Sequence, residues 1–140
     1  MKKTTDELLN TLKNTHNLDD YLSEEEENLS SCTLCEYLNQ LCADKNITPA
    51  ECIKRSGLDR TYAYQIFSGI KVPSRDKVLA LCFGFSLTLE EIQTLLKLTG
   101  YPILYPKDER DSVIIFALLK SSSLVDTNEL LYSTGYSLIQ

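Results

Sequence analysis

Residues 48–69, TPAECIKRSGLDRTYAYQIFSG, are typical of two short helices joined by a tight turn. The first helix begins after Thr48, a capping residue, and has Pro49 at a position where a missing amide hydrogen costs nothing. Gly57 suits the left-handed conformation that ends a helix, and Asp59 suits the cap of the next one. The stretch therefore predicts a helical hairpin with a very short connection.

The second helix of this hairpin has one apolar and one polar face. Ala63, Ile66 and Phe67 recur at helical spacing, so they are expected to be buried. The opposite face carries side chains that can bond to base edges or phosphates: Arg60, Thr61, Tyr64 and Gln65. A helix this short is not stable alone and needs a larger helical domain to pack against. An ordinary helical hairpin and a helix-turn-helix both fit the pattern.

The residues around the hairpin favour the helix-turn-helix. Residues 41–85, LCADKNITPAECIKRSGLDRTYAYQIFSGIKVPSRDKVLALCFGF, resemble the lambda-repressor/Cro-like (Xre-type) helix-turn-helix family in the order and spacing of several motifs. These motifs are the SGLDRTY turn, the IFSG end of the second helix, the KVPS linker and the RDKVLALCFGF helix. The resemblance covers about a third of the chain.

The resemblance implies an all-α, lambda-repressor-like five-helix core in which residues 59–68 form the recognition helix. It implies that Arg60, Thr61 and Gln65 face bases, with Arg60 suited to a bidentate contact with guanine. The other predicted contacts fix the position of the protein on phosphates and sugars and carry no sequence information. The complete set of predicted DNA-binding residues is Thr48, Lys54, Arg60, Thr61, Tyr64, Gln65, Lys71, Arg75 and Lys77.

The chain departs from the family pattern at three positions. Many family members have Gln after the cap, where it reaches a phosphate, and this chain has Pro49. Many also pair an Arg of the first helix with a Glu of the recognition helix, whereas the matching residues here are the apolar Cys42 and Phe67. Because both members of the Arg–Glu pair are replaced by apolar residues, neither leaves an unpaired charge in the core. The missing Gln removes one of the phosphate contacts that give family members their affinity for DNA.

Charge is unevenly distributed along the chain, whose net charge is −6. Residues 1–31 carry −5, residues 32–85 carry +2 and residues 86–140 carry −3. Between residues 54 and 77, six cationic side chains face two acidic ones. Positive charge concentrated on the helix-turn-helix stretch is typical of an electrostatic footprint on DNA, although a weak one.

The sequence offers no sign of catalysis, a cofactor or a resident metal. It has one histidine, His16, and neither a glycine-rich phosphate loop nor a nucleophile motif. Cys32 and Cys35 have the spacing of a metal or redox pair, but a structural zinc needs two more ligands. Buried thiols at apolar helical positions are the favoured alternative for four cysteines: Cys35, Cys42, Cys52 and Cys82.

The N-terminal residues 1–31 are predicted to form an acidic helix and linker. Thr4 and Glu7 are placed as a capping box before an apolar leucine face. The acidic run at residues 24–27 fits a plain solvated linker or a regulatory segment that competes with DNA phosphates. The chain has no apolar run of about 18 residues and no signal peptide, so a cytoplasmic protein away from membranes is expected.

The C-terminal part contains an internal repeat. Residues 75–101, RDKVLALCFGFSLTLEEIQTLLKLTGY, recur without a gap as residues 110–136, RDSVIIFALLKSSSLVDTNELLYSTGY, with ten of 27 positions identical. The second copy is therefore predicted to be another helix pair that stacks on the core as solenoid units stack. Residues 113–119, VIIFALL, are apolar nearly all round and predict a buried helix, although their β-branched content makes a strand the local alternative.

These observations predict three segments: an acidic helix and linker at 1–31, a helix-turn-helix core at 32–101, and a helical pair at 102–140. The predicted function is a sequence-specific DNA-binding transcriptional regulator of the Xre type that binds double-stranded DNA, alone or as a homodimer. The alternative is a protein-interaction or antitoxin-like module whose partner is a toxin or a co-encoded enzyme. A ligand-sensing regulator is less favoured, since one extra helix pair is too small to form a concave groove.

Overall fold

The computed structural model describes residues 33–140. The predicted N-terminal helix, the acidic run at residues 24–27 and Cys32 lie outside that range. Every regular element in the described range is an α-helix, in agreement with the all-α class. The helices are α1 (Leu34–Lys45), α2 (Pro49–Ser56), α3 (Arg60–Phe67), α4 (Arg75–Gly84), α5 (Leu89–Thr99), α6 (Glu109–Leu119) and α7 (Leu124–Thr134). None of these seven is long and apolar enough to cross a membrane.

Most helices begin at a side chain that caps them. The side-chain oxygens of Thr48 and Asp59 accept hydrogen bonds from the amides of Glu51 and Tyr62, as the sequence predicts. Thr88 forms a complete capping box with its glutamate three residues on. Ser74, the residue before α4, has the extended conformation of a cap but makes no side-chain capping bond.

Helix α4 is the centre of the core, with every residue from Val78 to Gly84 buried. Helix α2 packs closely on it, and α3 packs on α1 and α2. The close approach of α2 requires glycine at position 84, because a Cβ there would lie 2.5 Å from the carbonyl oxygen of Cys52. The Cys52 thiol in turn donates to the carbonyl oxygen of Leu81 at 3.5 Å.

The expectation of buried thiols is correct for two of the four cysteines. Cys52 and Cys82 are buried, and burial raises the pKa of both thiols, that of Cys52 to about 12. Cys35 and Cys42 are only half-buried, which corrects the prediction. Helix α1 lies at the edge of the core, so its fully buried side chains are confined to one narrow stripe.

Helices α4–α5 and α6–α7 are two copies of one unit. We call residues 75–104 copy one and residues 110–139 copy two. Ser86 and Ser121, 35 residues apart, both adopt the left-handed conformation between the helices, with φ of 57° and 56°. The prediction of a helix for residues 113–119 is confirmed, since they lie within α6.

The two copies also end alike, in an extended segment that returns to the unit. In copy one, the Gln93 side chain bonds to both the amide and the carbonyl of Leu104, each at 2.7 Å. In copy two, the Asn128 side chain bonds in the same way to Ile139, at 2.8 Å and 3.1 Å. We call each of these two-bond contacts an amide clamp. It satisfies the backbone amide and carbonyl of a buried residue that lies outside any helix.

The copies contact each other through two crossed ion pairs. Arg75 of copy one forms two hydrogen bonds with Asp111, at 2.9 Å and 2.7 Å. Arg110 of copy two forms two with Asp76, at 3.1 Å and 2.9 Å. Each arginine also donates to two carbonyls of its own returning segment: Pro102 and Ile103 in copy one, Ser137 and Leu138 in copy two.

The crossed contacts correct the prediction of solenoid stacking. Successive solenoid units bury one face of a repeat against a different face of the next. Here α4 packs on α7 and α5 packs on α6, so the same two faces meet reciprocally, as in a two-fold pair. The second copy therefore closes on the first and does not extend a stack.

The prediction that α6 is buried all round was wrong. Ile114 and Ala117 are buried, but Phe116 is 54% exposed and Leu119 is 67% exposed. The matching positions in α4 are buried because α2 covers them, and no described helix covers α6 in that way. Similarly, Leu131 is buried whereas its neighbour Leu130 is half-buried, although its counterpart in copy one, Leu95, is buried.

Candidate nucleic-acid interface

Helix α3 is fixed at both ends. Asp59 accepts from the Tyr62 amide at 2.9 Å at its start. At its end, the Asn39 side chain of α1 donates to the carbonyls of Phe67, at 2.9 Å, and Cys35, at 2.7 Å. The apolar side chains Ala63, Ile66 and Phe67 are buried. The direction in which the opposite face points is therefore set by the core.

The outward face of α3 presents the residues that the sequence predicts to read bases. Arg60 and Thr61 are exposed, and Tyr64 is 37% exposed. The Arg60 guanidinium lies over the Tyr64 ring, 5.7 Å from its centroid, which is within the range of a cation–π contact. Gln65 is only half-buried, one turn after Thr61. We call these four side chains the α3 face.

The linker after α3 is tied back to this helix. The carbonyl of Gln65 accepts from the amides of Ile70, at 2.9 Å, and Lys71, at 3.1 Å. Gly69 takes a positive φ of 84° and approaches α1 so closely that a Cβ would lie 3.2 Å from the Cys35 sulfur. These bonds hold the exposed Lys71 beside the C-terminal end of α3.

Three further predicted contacts lie on the helices next to α3. Thr48 is exposed, and its hydroxyl oxygen accepts the capping bond of α2. Lys54 is exposed in the last turn of α2. Lys77 of α4 is half-buried, with its ammonium group 5.9 Å from the centroid of the Tyr62 ring. This places the charge of Lys77 beside α3, within the range of a cation–π contact.

Arg75 is placed differently from the other predicted contacts. Its guanidinium donates to both oxygens of Asp111 and to two backbone carbonyls, so its donors are directed into the chain. Burial by itself raises the pKa of Asp111, but hydrogen bonds from Arg75 and the Tyr105 amide outweigh it and lower that pKa. We therefore assign Arg75 to the contact between the copies and leave it out of the candidate interface.

The excess of positive charge predicted between residues 54 and 77 survives these pairings. The crossed ion pairs engage one cation, Arg75, and one anion, Asp76, of that segment. Arg55 is 3.9 Å from Glu51, a loose and exposed pair. Lys54, Arg60 and Lys71 take part in no described salt bridge among residues 33–140.

The sequence did not single out two exposed apolar residues of this region. Ile70 and Val72 flank Lys71 in the linker, and both are largely exposed. The only signal was an alternation of apolar and cationic side chains between Gly69 and Pro73, and such short alternations are common in loops. They place two exposed apolar side chains on either side of Lys71, beside the C-terminal end of α3.

A cavity of about 790 Å³ lies between the turns of the two copies. Its lining includes both left-handed serines, Ser86 and Ser121, and the side chains of Phe83 and Leu118 at matching positions of the copies. Within residues 33–140, no group of three or more His, Cys, Asp or Glu side chains is arranged to hold a metal ion.

No protein-family model, curated protein or solved structure matches the chain.

Proposed function

We propose that the protein is a sequence-specific DNA-binding transcriptional regulator of the Xre type, with α2 and α3 as its helix-turn-helix. The observation that carries this proposal is the polarity of α3. The helix buries Ala63, Ile66 and Phe67 while it exposes Arg60 and Thr61. A short helix anchored at both ends, with a cationic and hydrogen-bonding outer face, suits insertion into a DNA groove.

The dimensions of α3 fit the major groove. An α-helix with its side chains is about 10–12 Å across, which fits the major-groove width of about 12 Å. Arg60 is at the first helical position, from which it can reach the O6 and N7 acceptors of guanine. Thr61 and Gln65 lie one turn apart on the same side and can contact neighbouring base edges.

The residues around α3 supply contacts that depend little on sequence. Lys54, Lys71 and Lys77 provide charge beside the helix, and Tyr64 offers a ring that packs on sugar and phosphate. With Arg75 engaged by Asp111 and Arg60 assigned to a base, the three lysines set the number of phosphates neutralised. We expect log K to fall with log salt at a slope of about −3 per chain.

The test is fluorescence anisotropy with labelled DNA duplexes selected from a random library by the full-length protein. Arg60→Ala should weaken binding by about 1–3 kcal/mol and relax the preference at one base pair. Lys71→Ala should weaken binding to all duplexes alike and make the salt slope shallower by about 1.

Lys97→Ala is the matched control for these variants. Lys97 is exposed on α5, outside the predicted DNA-binding set, and its removal changes the net charge by the same amount. It should leave affinity, specificity and salt slope nearly unchanged. Absence of any binding to selected or random duplexes at about 50 mM salt would overturn the proposal.

The exposed pair Ile70 and Val72 favours a second candidate, a protein-interaction or antitoxin-like module. Exposed apolar residues beside a basic residue suit a surface that binds another protein. The acidic net charge, and Pro49 in place of the family's Gln, weaken the case for DNA binding. The partner would be a toxin or a co-encoded enzyme. In this case, Ile70→Ser with Val72→Ser should abolish capture of the co-expressed neighbouring gene product, and Arg60→Ala should not.

A further inference from the structure

The two copies of the repeat show the same surface in a covered and an uncovered state. In copy one, Val78, Leu81 and Leu95 are fully buried beneath the helices that precede α4. Their counterparts in copy two are exposed or half-buried: Val113, Phe116 and Leu130. Copy one thus indicates what this surface accommodates, namely the apolar side of a packed helix.

The uncovered surface forms a shallow groove of about 290 Å³ along α6 and α7. Its lining residues carry no charge: Ser112, Val113, Phe116, Leu130 and Thr134. At the position of Gly84 in copy one, copy two has Leu119, which is 67% exposed. A helix packed here must therefore stand farther from α6 than α2 stands from α4.

The charges at the two ends of α6 are opposite. Glu109 is its first residue, and Lys120 follows its last, with the ammonium group 5.6 Å from the centroid of the Phe116 ring. Both lie at helical spacing with the exposed apolar residues of this side. We call this surface the α6 face: Glu109, Ser112, Val113, Phe116, Leu119 and Lys120.

We propose that the α6 face binds a second copy of the chain, with the two α6 helices antiparallel. Antiparallel packing places Glu109 of each copy beside Lys120 of the other, so that two ion pairs flank the contact. It also places Phe116 of each copy against Val113 of the other. A parallel arrangement would bring like charges together at both ends, which disfavours it.

A second copy is the occupant that matches these features. A neutral apolar strip with opposite charges at its ends is self-complementary, which is the requirement for a two-fold contact. The contact is small, because α6 has 11 residues and is about 16 Å long. We therefore expect a dimer that dissociates in the micromolar range. The proposal does not depend on DNA binding.

Sedimentation equilibrium of the full-length chain over a range of concentrations tests the proposal. The mass should rise from 15.9 kDa toward twice that value. Phe116→Glu should hold the protein at the monomer mass, and Leu119→Glu, at the end of the helix, should do the same. Tyr132→Glu is the matched control, since Tyr132 is an exposed aromatic residue of copy two that does not line the groove.

Charge reversal distinguishes the antiparallel contact from other ways of burying Phe116. Glu109→Lys and Lys120→Glu should each weaken the dimer by roughly tenfold, because each variant places like charges together at both ends. Mixing the two variant chains should restore the wild-type affinity, because both ends of the mixed dimer then join opposite charges. Added salt should reduce the difference.

Three results would overturn the proposal. They are a monomer mass at every concentration, a dimer that survives both Phe116→Glu and Leu119→Glu, and a mixture of charge variants that associates no better than either alone. Circular dichroism melting of each variant at low concentration separates loss of the dimer from loss of the fold. All the substituted side chains are largely exposed or at helix ends, so the melting temperatures should stay close to the wild-type value.

Discussion

Copy one and copy two share several polar interactions and differ in apolar burial. Both have a left-handed serine between their helices, an amide clamp on a buried aliphatic residue, and an arginine that donates to the returning segment. Copy one is covered by α1–α3, so α4 is buried from Val78 to Gly84. Copy two has no such cover in the described part of the chain, and α6 exposes Phe116 and Leu119.

This comparison shows that polar interactions and apolar burial have different origins within one repeat unit. The polar interactions satisfy backbone groups inside each unit or across the contact between the units, so they recur wherever the sequence recurs. Apolar burial depends on what packs from outside, and only copy one is covered by α1–α3. The predictions below compare matching residues of the two copies.

The largest expected difference is between Leu81 and Phe116. Leu81→Ala should lower the free energy of unfolding by about 2–5 kcal/mol, because it leaves a cavity under α2. Phe116→Ala removes a larger side chain but should cost less than about 1 kcal/mol, because the ring is 54% exposed in the monomer. Urea denaturation measures both.

This comparison has an internal control in Leu96 and Leu131, which are fully buried in both copies. Both Leu→Ala variants should cost about 2–5 kcal/mol. The denaturation should be carried out at low protein concentration, so that the proposed dimer does not add stability to the wild type. Equal costs for Leu81→Ala and Phe116→Ala would contradict the assignment of one covered and one uncovered copy.

A smaller difference is expected between the two arginines of the crossed pairs. Arg75→Ala leaves Asp111 without its main partner, and the Asp111 side chain is only 8% exposed. Arg110→Ala leaves Asp76, whose side chain is 28% exposed. We expect a cost of about 3 kcal/mol for Arg75→Ala and about 1 kcal/mol for Arg110→Ala.

The pH dependence of stability provides a check on the Arg75 pair. Because the pKa of Asp111 is lowered in the folded protein, its contribution is complete above the ordinary carboxyl pKa of about 4 and is lost as the pH falls below it. The stability difference between wild type and Arg75→Ala should therefore shrink below about pH 4. A difference that stays constant down to pH 2 would exclude Asp111 as its source.

The smallest expected difference concerns two matching tyrosines. Tyr101 donates its hydroxyl hydrogen to the Pro73 carbonyl at 2.7 Å in a partly buried site. Tyr136 donates to the Glu109 carboxylate at 2.7 Å at an exposed site. Tyr101→Phe should cost about 1 kcal/mol and Tyr136→Phe close to zero, since water replaces an exposed partner. Thermal melting of the two variants checks this order.

Several details of the candidate interface were predictable from short-range patterns. Thr48 and Asp59 cap their helices as predicted, because a capping bond joins residues only three positions apart. The apolar side of α3 was predictable for the same reason, since helical spacing alone groups Ala63, Ile66 and Phe67. The exposed Ile70 and Val72 were not, because exposure in a loop depends on what lies around it.

Arg75 marks the limit of the sequence argument. The family resemblance implied that it lies near phosphates. Its partner Asp111 is 36 residues away, and the pairing depends on the reciprocal packing of the two copies. The recurrence of Arg-Asp at 110–111 was visible in the sequence, but a repeat alone does not distinguish a closed pair from an open stack.

The sequence by itself determined the all-α class, the positions of the caps and turns, the polarity of α3 and the existence of a second helix pair. Each of these follows from backbone preferences or from bonds within one or two helical turns. Only the tertiary structure decided that the copies close on each other, that Arg75 is engaged by Asp111 and that α6 keeps an exposed apolar face. Those outcomes depend on contacts between residues distant in sequence, which spacing along the chain does not specify.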